Sequence, residues 1–194
     1  MVPLISKLVP LLKGIIGDTT LAIDNVATKL ILIGDGRVGK TSLCSHLRTK
    51  TIPGQYNLTV GLNIEVHETL MRGTSVKLVL WDLAGQHRFG CIRSDFYMGA
   101  RVALIVFDVQ NRGSFFDVKH WIRELKRHSP NTPFILVGNK MDLHKREVST
   151  EEAKRVAQEF SAFYFETSAL EGENVEELFQ LATRLALQGT AVAY

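Results

Sequence analysis

Leu30-Ile31-Leu32-Ile33-Gly34-Asp35-Gly36-Arg37-Val38-Gly39-Lys40-Thr41 decides the reading of this chain. An unbroken apolar run of this kind reads as a buried strand. It leads directly into G-x-x-x-x-G-K-[ST], a phosphate-binding loop. The glycines let successive backbone N–H groups turn inward around a phosphate chain. Lys40 reaches the outer phosphates, and the Thr41 hydroxyl can ligate Mg2+. A helix that starts at Lys40 adds the positive end of its dipole to the same anion. Gly34, Asp35, Gly36, Arg37, Val38, Gly39, Lys40, Thr41 and Ser42 are therefore assigned together to phosphate binding. Alone, the pattern indicates a nucleoside triphosphate without saying which.

Working outward, strand-like and helix-like stretches alternate from about residue 28 onward, the pattern of a parallel sheet covered on both faces. Strands are expected over Lys29–Ile33, Leu62–Leu70, Val76–Trp81, Val102–Phe107, Phe134–Val137 and Phe163–Glu166. Helices are expected over Lys40–Arg48, Ser114–Arg127, Thr150–Ser161 and Val175–Leu187. Ser149 with Glu152 fits a capping box, and Ser114 with Asp117 fits a weaker one. Met71-Arg72-Gly73-Thr74-Ser75 is short enough for a hairpin, so one edge pair is expected to be antiparallel. The expected class is α/β, a mostly parallel six-stranded sheet with one antiparallel edge strand and helices on both faces.

Further motifs narrow the chemistry. Asp82 ends a strand and is followed by Ala84-Gly85. A carboxylate there can hold Mg2+ beside the phosphate loop, and Gly85 offers a bare backbone N–H for a terminal phosphate. Asn139-Lys140-Met141-Asp142 follows another apolar run. The Asp142 carboxylate accepts and cannot donate. Guanine presents N1–H and N2–H2 as adjacent donors and adenine presents neither, so a carboxylate on that edge selects guanine. The Lys140 stem can lie along the base plane. Thr167-Ser168-Ala169 closes a third wall, with N–H groups able to donate to guanine O6.

These motifs, in this order, resemble the Ras-superfamily small GTPases, and most of all the Rab branch. The resemblance covers residues 28–188. It runs through Trp81-Asp-Leu-Ala-Gly-Gln-His-Arg-Phe89, Phe107-Asp-Val109, Leu136-Val-Gly-Asn-Lys-Met-Asp-Leu143, Arg146-Glu-Val-Ser149 and Glu166-Thr-Ser-Ala-Leu-Glu-Gly-Glu-Asn-Val-Glu-Glu-Leu-Phe179. It implies a single G domain built on the phosphate loop, which binds GTP and GDP with Mg2+ and hydrolyses GTP as a molecular switch in membrane traffic or signalling. It implies two nucleotide-sensing loops, about Thr51–Leu62 and Ala84–Met98. Thr59 matches the threonine that ligates Mg2+ beside Thr41 and Asp82. Gln86 matches the residue that orients the attacking water, acting with Lys40, Thr59 and Gly85. Ser168, Ala169 and Leu170 join Asn139, Lys140 and Asp142 around the base. Exchange factors, activating proteins and effectors are the implied partners. The chain departs from the family at Ile52, where an aromatic ring usually stacks on guanine, and at His87, where Rab proteins carry Glu. It also shows no C-terminal cysteines for lipidation.

The bulk properties agree. The chain has 194 residues, is 45% hydrophobic and carries a net charge of +3, which suits one domain with a short extension. Its basic residues are scattered, and Arg123, Lys126 and Arg127 read as a solvated helix face, so no nucleic-acid surface is expected. Cys44 and Cys91 give no disulfide framework or metal spacing. Cys44 reads as a small core residue, and a reducing cytoplasmic setting fits. Residues 1–27 form an extension and 189–194 a short tail. Within the extension, Leu4, Ile5, Leu8, Val9, Leu11, Leu12, Ile15 and Ile16 share one face of a helical wheel, the mark of an amphipathic helix. Pro10 interrupts that face's backbone. Residues 4–16 are thus expected to hold the protein on a membrane surface, or to pack on the domain or a partner. Two other functions compete with the switch. A scaffold holding nucleotide without cycling is opposed by Thr59, Gly85 and Gln86, and an ATPase or small-molecule kinase is opposed by Asp142.

Overall fold

The apolar run that begins the loop motif lies in the middle of a six-stranded sheet. The computed structural model describes residues 26–51, 61–71, 73–85 and 95–188. The expectations for residues 4–16, Ile52, Thr59, Gln86, His87, Cys91 and the tail 189–194 lie outside these. In chain order the elements are β1 (Val26–Ile33), α1 (Lys40–Thr49), β2 (Leu62–Met71), β3 (Thr74–Leu83) and β4 (Val102–Asp108). They continue with α2 (Arg112–Phe116), α3 (Val118–His128), β5 (Phe134–Asn139), α4 (Thr150–Glu159), β6 (Phe163–Thr167) and α5 (Val175–Gln188).

The strand order is β2-β3-β1-β4-β5-β6. Every pairing is parallel except β2 with β3, a hairpin in register from Leu62 opposite Leu83 to Met71 opposite Thr74. The fold class expected from the sequence therefore holds. Alternation along the strands divides the core into two layers. Ile31, Ile33, Ile105 and Phe107 pack with Trp121, Ile122 and Leu125 of α3 on one face. Leu30, Leu32, Leu104 and Val106 pack with Leu43 of α1 and Leu178, Phe179 and Ala182 of α5 on the other. Cys44 belongs to this second layer and is buried; burial pushes its thiol well above the ordinary range. Arg123, Lys126 and Arg127 are exposed on α3, as a solvated face requires.

Several details differ from expectation: β3 runs past Asp82 to Leu83, β5 continues to Asn139, and pairing of Met71 with Thr74 shortens the hairpin link to residues 72–73. β1 begins at Val26, because Val26 and Ala27 continue the parallel register with Val76 and Lys77 of β3. The expected helix Ser114–Arg127 is two helices meeting at Asp117, and Ser114 is not its cap. Asn111 is the N-cap of α2, its side chain accepting from the Ser114 N–H, while the Ser114 hydroxyl is turned back to accept from the Asp108 N–H at 3.0 Å. α4 stops at Glu159, and Ser161 takes a left-handed φ of 53° just beyond. The Ser149 cap is present, with Glu152 N–H donating to its Oγ at 3.1 Å.

β1 is flanked by β3 on one side and β4 on the other. The chain's crossovers diverge at its carboxyl end, and in open α/β sheets a ligand crevice lies at such a point. The phosphate-loop motif leaves β1 there.

Candidate functional site

The loop after β1 is shaped by contacts that leave no room for a side chain at Gly34 or Gly39. A Cβ on Gly34 would lie 2.1 Å from the Val106 carbonyl oxygen, and one on Gly39 would lie 2.2 Å from Asn139 Nδ2. Gly85 is pressed against the same loop, where a Cβ would meet the Asp35 carbonyl carbon at 2.3 Å. These are approaches, to backbone at Gly34 and Gly85 and to the Asn139 carboxamide at Gly39, that glycine permits. Lys40, at the first turn of α1, folds back over the loop and donates to the carbonyls of Gly34 at 2.7 Å and Asp35 at 2.6 Å. Its ammonium thus sits at the mouth of the loop.

Thr41 donates from Oγ1 to Asp82 Oδ2 at 2.5 Å. Two oxygen donors from separate elements, one of them a carboxylate, stand side by side where a hard divalent cation is best served. The residues present therefore fit Mg2+.

Beside the loop lies a cavity of about 310 Å3, lined by Arg37, Ser42, Asn139, Lys140, Asp142 and Leu170 among others. Its volume is in the range of small-molecule sites, roughly 300–1,000 Å3. Asp142 Oδ1 is buried and has no hydrogen-bond donor among the described residues. A buried acceptor is costly unless a donor reaches it, and a base edge with adjacent N–H groups supplies two. Lys140 takes a left-handed φ of 67° and places its Nζ 2.6 Å from Asp108 Oδ2, which holds its stem along the cavity wall.

Asn139 acts differently from a simple contact residue. Its Nδ2 donates to the Val38 carbonyl at 2.9 Å, and its Oδ1 accepts from Thr167 Oγ1 at 3.0 Å and Ala169 N–H at 3.1 Å. One carboxamide thereby joins the phosphate loop, the end of β5 and the loop after β6. The O6 donors expected at Thr167-Ser168-Ala169 need adjustment: Ser168 N–H donates to the Glu173 carbonyl and Ala169 N–H to Asn139. Leu170 then carries the first N–H of this loop without a protein acceptor among the described residues.

Other supporting residues were not singled out by the sequence. Trp121 Nε1 on α3 donates to Asp35 Oδ1 at 2.7 Å and braces the start of the phosphate loop. Glu166, just before the third wall, accepts two bonds from Arg146, both at 2.8 Å, one from Thr150 at 2.8 Å and one from Tyr164 at 2.6 Å. Burial pushes its carboxyl up, but the hydrogen bonds from Arg146, Tyr164 and Thr150 outweigh burial and hold it below the ordinary Glu value. The one available signal for Trp121 was general: a buried indole N–H needs an acceptor.

Fold and site define an α/β domain with a glycine-rich loop of the phosphate-binding pattern and, beside it, a cavity walled by a carboxylate. The sequence model of the Ras family matches residues 29–188. The chain is 42% identical over 154 residues to the Ras-related protein RGP2 of Oryza sativa subsp. japonica, covering 78% of this chain and 71% of that protein. It is 40% identical over 158 residues to the Ras-related protein RABA5d of Arabidopsis thaliana, covering 80% and 72%. To the GTP-binding protein ypt3 of Schizosaccharomyces pombe it is 41% identical over 154 residues, covering 78% and 72%. The chain belongs to the Ras family and is Rab-like within it. It is a small GTPase that binds GTP and GDP with Mg2+, hydrolyses GTP and works as a switch; a scaffold that never cycles is not favoured.

Proposed function

We propose that the cavity beside the phosphate loop receives the guanine base and that the loop itself cradles the phosphates, in a switch serving membrane traffic. The observation that supports this most is Asp142 Oδ1, a buried acceptor on the wall of the cavity. Replacing Asp142 with Asn puts an amide donor against the donors of guanine, and GDP affinity is expected to fall roughly 10³-fold or more. Unchanged GDP affinity in Asp142→Asn would remove the base-reading role.

The remaining roles follow from charge. Phosphoryl transfer asks for positioning and electrostatic stabilisation more than covalent chemistry. Thr41, Thr59 and Asp82 hold Mg2+, which when bound neutralises charge on the β- and γ-phosphate oxygens. Lys40 and the loop N–H groups stabilise the charge that develops on the departing diphosphate. Gly85 N–H meets the terminal phosphate, and Gln86 orients the attacking water. The loop Thr51–Leu62 contains no arginine, so intrinsic hydrolysis is slow and a partner's arginine adds roughly 10³- to 10⁵-fold. Gln86→Leu is expected to slow turnover while GTP affinity stays near that of the unmodified protein.

Exchange factors, activating proteins and effectors read the two states through loops 51–62 and 84–98. Among the described residues no helix is long and apolar enough to cross a membrane. Residues 4–16 supply a peripheral anchor on the cytoplasmic side, supported by the apolar face they share in sequence. Liposome flotation with and without residues 1–17 tests this; equal flotation of both would end the anchor reading.

A further inference from the structure

Arg37 has a φ of +67°, in the left-handed region that favours glycine. The glycines at 34 and 39 are compelled by contact, whereas a Cβ at neighbouring Gly36 meets nothing within 4 Å. No comparable packing calls for an arginine: the side chain is exposed, and among the described residues it makes no ion pair. A bulky residue kept in a costly backbone conformation persists when something else depends on it. Arg37 also lines the cavity, together with Gly39 and Ser42 near the phosphate loop and Lys140, Asp142 and Leu170 of the proposed base wall.

We propose that Arg37 is a nucleotide-gripping residue, whose guanidinium closes on the inner phosphates of bound guanine nucleotide and slows its release. This rests on the reading of the cavity given under Proposed function. The base edge excludes Arg37 on chemical grounds, because a group with donors alone cannot pair with guanine N1–H and N2–H2. Lys40 occupies the mouth of the loop, toward the outer phosphates. Lys140, the other cation on the cavity wall, has its ammonium on Asp108. Of the cations that line the cavity, Arg37 is the one left without an ion pair among the described residues. A guanidinium presents a planar fork of donors that matches two phosphate oxygens at once.

The test follows release of a fluorescent GDP analogue from the full chain in Mg2+, at low and high salt, for the unmodified protein, R37G and R37K. R37G removes the strain together with the charge, so without nucleotide it is expected to melt no lower than the unmodified protein. Its GDP release is expected to be about ten-fold faster, equivalent to roughly 1.4 kcal/mol. R37K, which keeps the charge without the fork, is expected to release GDP more slowly than R37G. Added salt is expected to speed release from the unmodified protein more than from R37G. Tight GDP binding with release rates for R37G and the unmodified protein within two-fold of each other overturns this proposal alone. A chain that binds no guanine nucleotide overturns the reading of the cavity and this proposal with it.

Discussion

Lys29 shows how a single side chain can carry a measurable signature of the fold. Its ammonium lies 3.7 Å from the centroid of the Trp81 ring and donates to the Met98 carbonyl at 2.8 Å. Burial pushes its pKa down to about 8 from 10.5. Between those values the unfolded chain holds more protons at this position than the folded one, so folding gains stability as pH rises through the window. Urea midpoints at pH 7, 9 and 10 should therefore climb for the unmodified protein relative to Lys29→Met; a constant difference would contradict the shift. Trp121 is a second case. Trp121→Phe keeps an aromatic ring but loses part of the buried bulk and the N–H that reaches Asp35, and a hydrogen bond to a charged group contributes about 1.5–3 kcal/mol. Lower stability with faster GDP release is the expected pair of results, measured by urea denaturation and by fluorescence. Phe in this place with unaltered release would mean that the brace does not bear on the phosphate loop. The Trp121–Asp35 contact spans 86 positions of sequence. Nothing local announces it, because it arises only when α3 packs across the sheet from the loop.

The elements were legible to different degrees, for identifiable reasons. The glycines of the phosphate loop carry their geometry in their identity, since a Cβ at Gly34 or Gly39 has nowhere to go. Parallel strands such as β4, all buried, appear as plain apolar runs. Capping was harder: Asn111 and Ser114 are both competent caps, and the choice fell to Asn111 because Asp108 takes the Ser114 hydroxyl. The role of Asn139 as a joint between loops was hidden for the same reason as Trp121, since its partners Val38, Thr167 and Ala169 are brought together by β5 and β6. Glu166 belongs to this scale as well, because it ties β6 to the segment before α4. Glu166→Gln loses the paired charge and is expected to cost roughly 1–3 kcal/mol at neutral pH. The folded carboxyl titrates below its ordinary 4.5, so its contribution is present above the unfolded value and fades as pH falls through the folded one. Chemical denaturation should show the two proteins converging in acid; a gap that stays constant there would remove Glu166 from the acid response.

At the scale of the whole molecule, one sheet with a core on each face supports a ligand site at its carboxyl edge, and ligand binding is linked to global stability. Anything that binds the folded state and not the unfolded one stabilises it, by about 2.7 kcal/mol at a hundred times its Kd. GDP with Mg2+ at that excess is expected to raise the thermal midpoint, and ATP at the same concentration to leave it where it was. Equal shifts from both would show that the pocket does not discriminate purines. The carboxamide of Asn139, hidden inside the protein at 1% exposure, has a mechanical consequence at this scale. It rivets the phosphate-loop motif to the end of β5 and the loop after β6, so, with base and phosphates placed as proposed, loosening one wall of the site is expected to loosen the other. On that placement, a regulatory protein that levers one of these loops outward is expected to draw the second along with it.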